Sequence, residues 1–423
     1  MSRNKCTERV PEDTATLTRR KFVSSSLTAA ALPLIQGGEG LGREIASTES
    51  QPAGVKRRIK LGVVGCGGRG AWIAKLFQRH GGYEVFAVGD YFQAVADACG
   101  QDLGVDGARR FSGLSAYKKV LDTGVEAVAL ETPPYCFPEH ARAAVETGIH
   151  VFMAKPVAVD VPGCLEIEAA ARRATAKGLC FLMDYQIPTD PHNVEVVKRI
   201  HSGQIGRLAI LHSYYLAGSF PDPAKTATCE SRLQHLIWCN DVAIGGGYHV
   251  NACIHAVDAA LWVAGERPIS ATGASRTGRA DPHGDSHDVF GIVYEFANGL
   301  ILNHRAKHLR NHSEGFRCGC AVHGDTGCAE IAYGGKAELR RAAAPYSDEV
   351  VKLYEAGAVR NIATFYRNAT EGDARNPTVR RAVDSALTTI LGREAALHRS
   401  KLTWEQLLND NKRLDVDLTG LAP

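Results

Sequence analysis

Short apolar runs and helix-length amphipathic stretches alternate over the first half of this chain. Ile59-Lys60-Leu61-Gly62-Val63-Val64 predicts a strand, Ala71 to Phe77 a helix, and Tyr83 to Asp90 a second strand. Glu126 to Leu130 reads as a further strand, Pro138 to Gly148 as a helix, and Ile149 to Met153 as another strand. Strands and helices alternating at this length imply a parallel, doubly wound sheet, so the fold class expected is α/β. The second half reads differently. From Arg207 to Leu216 and from Ser286 to Ala332 it predicts strands joined by Asn-Gly and Gly-Asp turns.

Composition changes the picture at the amino end. The chain is 45% apolar and 22% charged, ordinary globular usage. Residues 1–58 hold ten Lys/Arg against six Asp/Glu, while the remainder balances to a formal charge of −1. The basic character belongs to this leader, and the body offers no phosphate-tracking surface, so nucleic acid is not an expected partner. Thr18-Arg19-Arg20-Lys21-Phe22-Val23 precedes a mildly apolar stretch ending at Ile35 and diluted by Ser24, Ser25, Ser26 and Thr28. Paired arginine before a weakly hydrophobic core is the pattern of a twin-arginine export signal. It predicts a periplasmic or extracytoplasmic destination, with 1–58 serving as signal and linker. There is no run of 18 apolar residues, so no ordinary membrane span is expected. The twelve cysteines are scattered, apart from Cys318-Gly319-Cys320, and suggest no disulfide framework.

The first strand leads into Gly65-Cys66-Gly67-Gly68-Arg69-Gly70, which fits G-x-G-x-x-G at 65, 67 and 70. In such a loop the first glycine makes the tight turn, the second lets the backbone approach a pyrophosphate, and the third permits close helix–strand packing. The following helix would offer free N–H groups and a positive dipole to the phosphates. Asp90 ends the next strand, 20 residues beyond Gly70. A carboxylate there accepts hydrogen bonds from ribose hydroxyls and repels a 2′-phosphate, which favours NAD over NADP. Arg69 could contact a phosphate. Lys155 follows the strand ending at Met153. Ligands bind at the carboxyl ends of strands in such sheets, so its ammonium can polarise a substrate oxygen.

These pieces resemble the Gfo/Idh/MocA oxidoreductase family. The resemblance is carried by Gly65 to Gly70, Asp90, Thr132-Pro133, His140, Gly148 to Val151 and Lys155-Pro156. It continues through Gly203 to Gly206, the run Gly245 to Asp258 with Trp262, Glu295 to Gly299, Gly324 to Gly327, and Thr403-Trp404. It implies a Rossmann dinucleotide-binding domain at 59–180. It also implies a C-terminal α/β domain at 181–423, with an open, mostly antiparallel sheet and terminal helices that return to the first domain. A homodimer or homotetramer through the open sheet face is implied as well. The family's Glu-Lys-Pro motif appears here with Ala154 in place of the glutamate.

The resemblance assigns catalysis to Lys155, His255 and Asn251, with residues 251 and 255 over the nicotinamide. Asn251, His255 and Asp258 are spaced i, i+4, i+7, which on a regular helix puts them on one face. The family normally has an aspartate at 251, and the neutral Asn251 cannot raise the basicity of the histidine. Cofactor contacts are expected from Gly65, Gly67, Gly68, Arg69, Gly70, Asp90, Thr132, Pro133, His140 and Lys155. Asp258 is expected to be a structural partner. Substrate contacts are expected among Tyr185, Gln186, His192, Arg232 and Tyr248, with His235 and His249 as further pocket residues. His283/His287 and His304/His308/His312 have i, i+4 spacing but lie in strand-like sequence without an acidic cluster, so no metal is expected.

The function expected is an exported enzyme passing hydride between tightly bound NAD and a sugar or glycoside hydroxyl. Two alternatives remain open. One is an NAD-dependent glycoside hydrolase or lyase that works by transient oxidation and elimination. The other is a non-catalytic protein that binds sugar or NAD.

Overall fold

The computed structural model describes residues 55–310, 315–340 and 344–423. The twin-arginine segment and His312 lie outside them.

Strands β1 (Ile59–Val64), β2 (Tyr83–Asp90), β3 (Arg110–Ser112), β4 (Ala127–Leu130), β5 (His150–Met153) and β6 (Phe181–Met183) form a parallel sheet in the order β3-β2-β1-β4-β5-β6. Helices α1 (Gly68–His80), α2 (Gln93–Asp102), α3 (Ala116–Leu121), α4 (Phe137–Glu146) and α5 (Val161–Ala176) connect them. The central strands are almost wholly apolar because helices cover both faces: all four residues of β4 are buried, and in β1 only Lys60 is exposed. The expected domain boundary at 180/181 falls ahead of β6. Residues 181–183 pair with β5, so the parallel sheet ends only after Met183.

The second sheet has nine strands: β7 (Leu208–Ala217), β8 (Ser270–Arg276), β9 (Val289–Glu295), β10 (Ile301–His308), β11 (Arg317–Gly324), β12 (Cys328–Ala332), β13 (Gly335–Arg340), β14 (Tyr346–Val350) and β15 (Leu402–Thr403). Their order is β14-β13-β12-β11-β7-β10-β9-β8-β15, and every pair is antiparallel except β10 with β7. The hairpin from β9 to β10 turns at Asn298-Gly299, where Gly299 takes φ +84° and donates its N–H to the Phe296 carbonyl.

Helices α6 (Pro191–His201), α7 (Val242–Gly245), α8 (Gly247–Asn251) and α9 (Ile254–Ala264) belong to this half. Asp190-Pro191 marks the start of α6. Asp190 caps it by accepting from the N–H groups of His192 and Asn193, with Pro191 in the first turn. The chain closes with α10 (Leu353–Glu371), α11 (Pro377–His398) and α12 (Trp404–Asp410). Helix α10 lies on α1 and completes an aromatic cluster of the parallel-sheet domain. Phe365 packs 5.7 Å from Phe152, Tyr366 packs 5.6 Å from Tyr83, and the Tyr83 hydroxyl donates to the Ile362 carbonyl. Among the described residues, no helix is long and apolar enough to cross a membrane.

Candidate active site

Chain geometry brings five groups to one edge of the parallel sheet. Gly65 follows β1, Asp90 ends β2, Glu131 follows β4, Lys155 lies just past β5, and Asp184 follows β6. These are all carboxyl ends, and the strand order reverses between β1 and β4, where open sheets form their ligand crevice.

The glycines divide into two pairs. Gly65 has φ +92°, and a Cβ on it would lie 2.5 Å from the Glu131 carbonyl carbon. A Cβ on Gly70 would lie 1.7 Å from the Gly65 oxygen. These two allow α1 to approach the strand ends. Gly67 and Gly68 have nothing within 4 Å of a built Cβ. They leave open space at the α1 N-terminus, which has no side-chain cap and no acid in its first turn. An uncapped, uncrowded helix start suits a pyrophosphate. Asp90 accepts the Cys66 N–H at 2.7 Å and the Phe92 N–H at 3.0 Å, so it also holds the glycine loop in place. Burial raises its pKa, and these backbone bonds oppose the shift. Each carboxylate oxygen keeps acceptor capacity for a ribose hydroxyl. The residues present therefore fit a dinucleotide. Thr132 and Pro133 follow Glu131 directly, and His140 supports them. Its Nδ1 lies 3.4 Å from the Thr132 hydroxyl and its ring stacks on Tyr117, with burial pushing its pKa down to about 3.

Arg69 does not point at the open phosphate space. Its Nε lies 3.0 Å from Glu131, its Nη2 bonds Asp184, and its Nη1 donates to the Tyr354 hydroxyl at 2.9 Å. Trp72 and Tyr354 stack at 4.5 Å beside it. Burial lowers the guanidinium pKa, but Glu131, Asp184 and Tyr354 outweigh it and raise the pKa overall. The Glu131 side chain is fully enclosed, and the Arg69 guanidinium is the counter-ion that reaches it. Burial pushes Glu131 up to about 7, with Asp184 adding to the shift and Arg69 and Lys155 opposing it. Asp184 also accepts from the Asn361 amide at 2.7 Å.

Lys155 donates to the Asn251 carbonyl at 2.7 Å, leaving two ammonium protons. Burial pulls it down to about 8. It thus meets residue 251 through the backbone, whereas the Asn251 side chain accepts from the Cys239 thiol at 3.4 Å and leaves its Nδ2 unpaired. The expected single helical face is interrupted here. α8 stops at Asn251 and α9 begins at Ile254, and the Cys253 N–H reaches back five residues to the Tyr248 carbonyl at 3.4 Å. This widened turn shifts Asn251 out of regular register with His255.

His255 lies between two aromatic rings, Tyr333 at 5.2 Å and Tyr185 at 6.2 Å. Among the described residues, none hydrogen-bonds its ring nitrogens. Burial lowers its pKa well below the ordinary value, and the charges of Lys155 and Arg69 lower it further, so the imidazole is neutral. Asp258, one helical turn on, is taken up by Arg381 at 2.6 Å and Ser385 at 2.8 Å, and is a structural partner.

The expected substrate residues separate. Tyr185 flanks His255, and the Gln186 Oε1 accepts from the Tyr333 hydroxyl at 3.1 Å, so both belong to this neighbourhood. His192 instead faces β14, 2.9 Å from the Tyr346 hydroxyl. Arg232 is held by Asp241 at 2.6 Å, Asp222 at 2.7 Å and the Pro223 carbonyl, all inside the fold. Tyr248 is buried, stacks on His308 and donates to the Lys307 carbonyl at 2.8 Å. These three side chains are committed to protein partners: Arg232 and Tyr248 are buried, where polar groups need satisfying, and His192 is partly exposed. His235 has positive φ between the short 3₁₀ turns Cys229–Arg232 and Ile237–Asn240, while His249 is fully buried in the second domain.

Sequence reasoning missed Glu131, Asp184, Tyr333, Tyr354 and Trp72. Glu131 carried the same signal as Lys155, a charged residue just past an apolar strand. The aromatic residues carried none, since their meeting depends on strands and helices far apart in sequence.

Comparison with known proteins agrees with this architecture. Residues 59–181 match the oxidoreductase family with an NAD-binding Rossmann fold, and residues 194–330 match the GFO/IDH/MocA C-terminal domain. The chain is 29% identical over 248 residues to inositol 2-dehydrogenase 2 of Saccharopolyspora erythraea, a match that spans 58% of this chain and 65% of that one. It is 25% identical to the 2,7-anhydro-N-acetylneuraminate hydratase of Mediterraneibacter gnavus over 57% of this chain and 59% of the other. A levoglucosan dehydrogenase structure with NADH and levoglucosan superimposes with TM-score 0.68 at 18% identity, covering 83% of this chain and all of that one.

Proposed function

The chain belongs to the Gfo/Idh/MocA oxidoreductase family, and we propose that it is an NAD-dependent dehydrogenase acting on a CH–OH group of a sugar or cyclitol. The observation that carries this reading is the convergence of Lys155 and His255 beside the glycine loop. Lys155 is partly desolvated and keeps two free ammonium protons. His255 is a neutral imidazole with unengaged nitrogens.

Bound NAD supplies the hydride acceptor. Gly67, Gly68 and the first turn of α1 would hold its pyrophosphate, and Asp90 would hold the adenosine ribose and disfavour a 2′-phosphate. Lys155 Nζ donates to the reacting oxygen and stabilises negative charge as it develops there. A free ring nitrogen of His255 takes the hydroxyl proton as the C–H bond breaks. Tyr185, Tyr333 and the Trp72–Tyr354 pair offer apolar ring faces of the kind that suit a pyranose or cyclitol, and the named relatives that act on inositols and levoglucosan support that substrate class.

Export belongs to the same reading and rests on Arg19-Arg20-Lys21-Phe22. An exported enzyme needs a retained cofactor. Assembly through the outer face of the nine-stranded sheet is also proposed, at a shallow cavity of about 680 Å³ lined by His212, Tyr214, Arg305 and Glu330.

The test is to purify the full chain, denature it and identify the nucleotide released. The holoprotein is then screened against aldoses, inositols and anhydro sugars for reduced nicotinamide. NAD release with substrate-dependent reduction is expected, and absence of any nucleotide site would remove the proposal. Release of an aglycone with no net nicotinamide change would move the chain to redox-neutral glycoside cleavage, a reading that the hydratase relative keeps in view.

A further inference from the structure

We propose that His249, Cys253 and His304 bind one thiophilic transition-metal ion, zinc(II) or copper(I), which staples the helix bearing His255 to the underlying sheet. The three potential ligand atoms lie within 4.8 Å of one another, and all three residues are buried. They come from separate elements: His249 from α8, Cys253 from the widened turn before α9, and His304 from the central strand β10.

Each imidazole is anchored on one side and bare on the other. The His249 Nε2 lies 3.0 Å from the Tyr294 hydroxyl, and the His304 Nδ1 lies 2.8 Å from the Ser213 hydroxyl. The opposite nitrogens, His249 Nδ1 and His304 Nε2, are buried without a hydrogen-bond partner. Two buried, unpartnered nitrogens on histidines grouped with a thiol need explanation in a closed interior. A metal ion explains both at once. If each anchored nitrogen carries the proton and donates to its hydroxyl, each bare nitrogen has its lone pair directed inward, the arrangement that outer-shell partners impose on metal-bound histidine.

The donor set selects the ion. Two imidazoles and a thiolate, with no carboxylate, suit zinc(II) or copper(I) and offer nothing to magnesium or calcium. Ligand atoms around such an ion sit about 3.5 Å apart, so side-chain rotations of about an ångström close the set. Cys253 and His255 are two residues apart, roughly 200° around a helix. The ion therefore lies on the sheet side of the turn whose other side carries the proposed base. It would fix the break between α8 and α9 in place. This inference stands independently of the dehydrogenase reading.

The experiment uses full-length protein purified without chelator, with elemental analysis by mass spectrometry. About one equivalent of zinc or copper per chain is expected to survive desalting, and the element found decides between the two. Cys253→Ser is expected to lose at least tenfold in metal retention while keeping its circular dichroism, and Cys180→Ser, outside the cluster, is expected to keep the metal. Chelator-treated wild type should then compete with a chromophoric chelator for zinc(II) or copper(I) better than Cys253→Ser does. If Cys253→Ser fails to fold, the same competition is run with His304→Gln. Metal content and competition equal in wild type and cluster variants, or no binding of either ion by wild type, would overturn the proposal.

Discussion

In the parallel-sheet domain, chemistry-bearing side chains sit at or just past a strand end. In the second domain they sit on a helix that is interrupted where they occur. The first arrangement is rigid by construction: β1, β2, β4, β5 and β6 are locked in register, and Gly65, Asp90, Glu131, Lys155 and Asp184 inherit their positions from it. The second depends on the turn between Asn251 and Ile254, where regular spacing fails and residue 251 meets Lys155 through its carbonyl. A sheet edge transmits position through backbone hydrogen bonds. A broken helix must have its position supplied by side-chain contacts, here with Cys239, Tyr294 and Arg381.

The largest effects should come where the two halves meet. Lys155→Met is expected to lower kcat/KM about a thousandfold and His255→Ala by about 10²–10⁴-fold, while the nucleotide released on denaturation stays at wild-type level. Normal turnover in either variant would detach chemistry from this junction. With Lys155 near 8, wild-type kcat/KM should fall as pH rises through about 8, because the neutral amine no longer stabilises developing charge. A flat profile well past that point would remove its electrophilic role.

Next come the glycines, which contrast fold and ligand within one loop. Gly70→Ala should destabilise the protein by about 3 kcal/mol, since its methyl group meets the Gly65 oxygen. Gly67→Ala has open space, so its melting temperature should hold while nucleotide retention falls. Equal melting temperatures for the two would contradict the division.

A smaller, pH-dependent effect belongs to Glu131. Its pKa is raised from 4.5 to about 7, so the folded state favours the protonated form. Stability from this group is full below about 4.5 and is lost as pH rises through about 7. Glu131→Gln should therefore gain on wild type with rising pH, by about 3 kcal/mol at pH 8. Thermal melts at pH 5 and pH 8 measure the difference, and a constant offset would refute the shift. Smallest of all, His192→Ala should alter stability by about 0.5 kcal/mol and leave KM unchanged, because its ring faces β14.

The parallel sheet was largely legible in the sequence. β1 and β2 run over the predicted residues because buried strands must be apolar and their ends are marked by glycine and aspartate. The short β6 was missed as part of that sheet, since three residues hold too little pattern to assign. In the second domain the motif located His255 and Asp258, but helical spacing alone could not reveal the widened turn. Arg232, His192 and Tyr248 were legible as polar or aromatic residues near the motif. Tyr346 and Lys307 are distant in sequence from the residues they hold and Asp222 reaches Arg232 across a ten-residue loop, so only folding decides these pairings. The same limit applies to the His249–Cys253–His304 group: His249 and Cys253 are four residues apart, but His304 comes from a strand about fifty residues on, and only folding brings it to them.

The aromatic cluster under α1 has a consequence for synthesis. Tyr83 bonds the carbonyl of a residue 279 positions later, and Phe365 and Tyr366 fill space that Phe77, Tyr83 and Phe152 leave open. As the polypeptide emerges from the ribosome, the nucleotide-binding half waits with that apolar surface bare until α10 has been translated. Its final stability is set by one of the last segments made, so a nascent chain stalled before residue 353 should be the form most prone to stick to its neighbours.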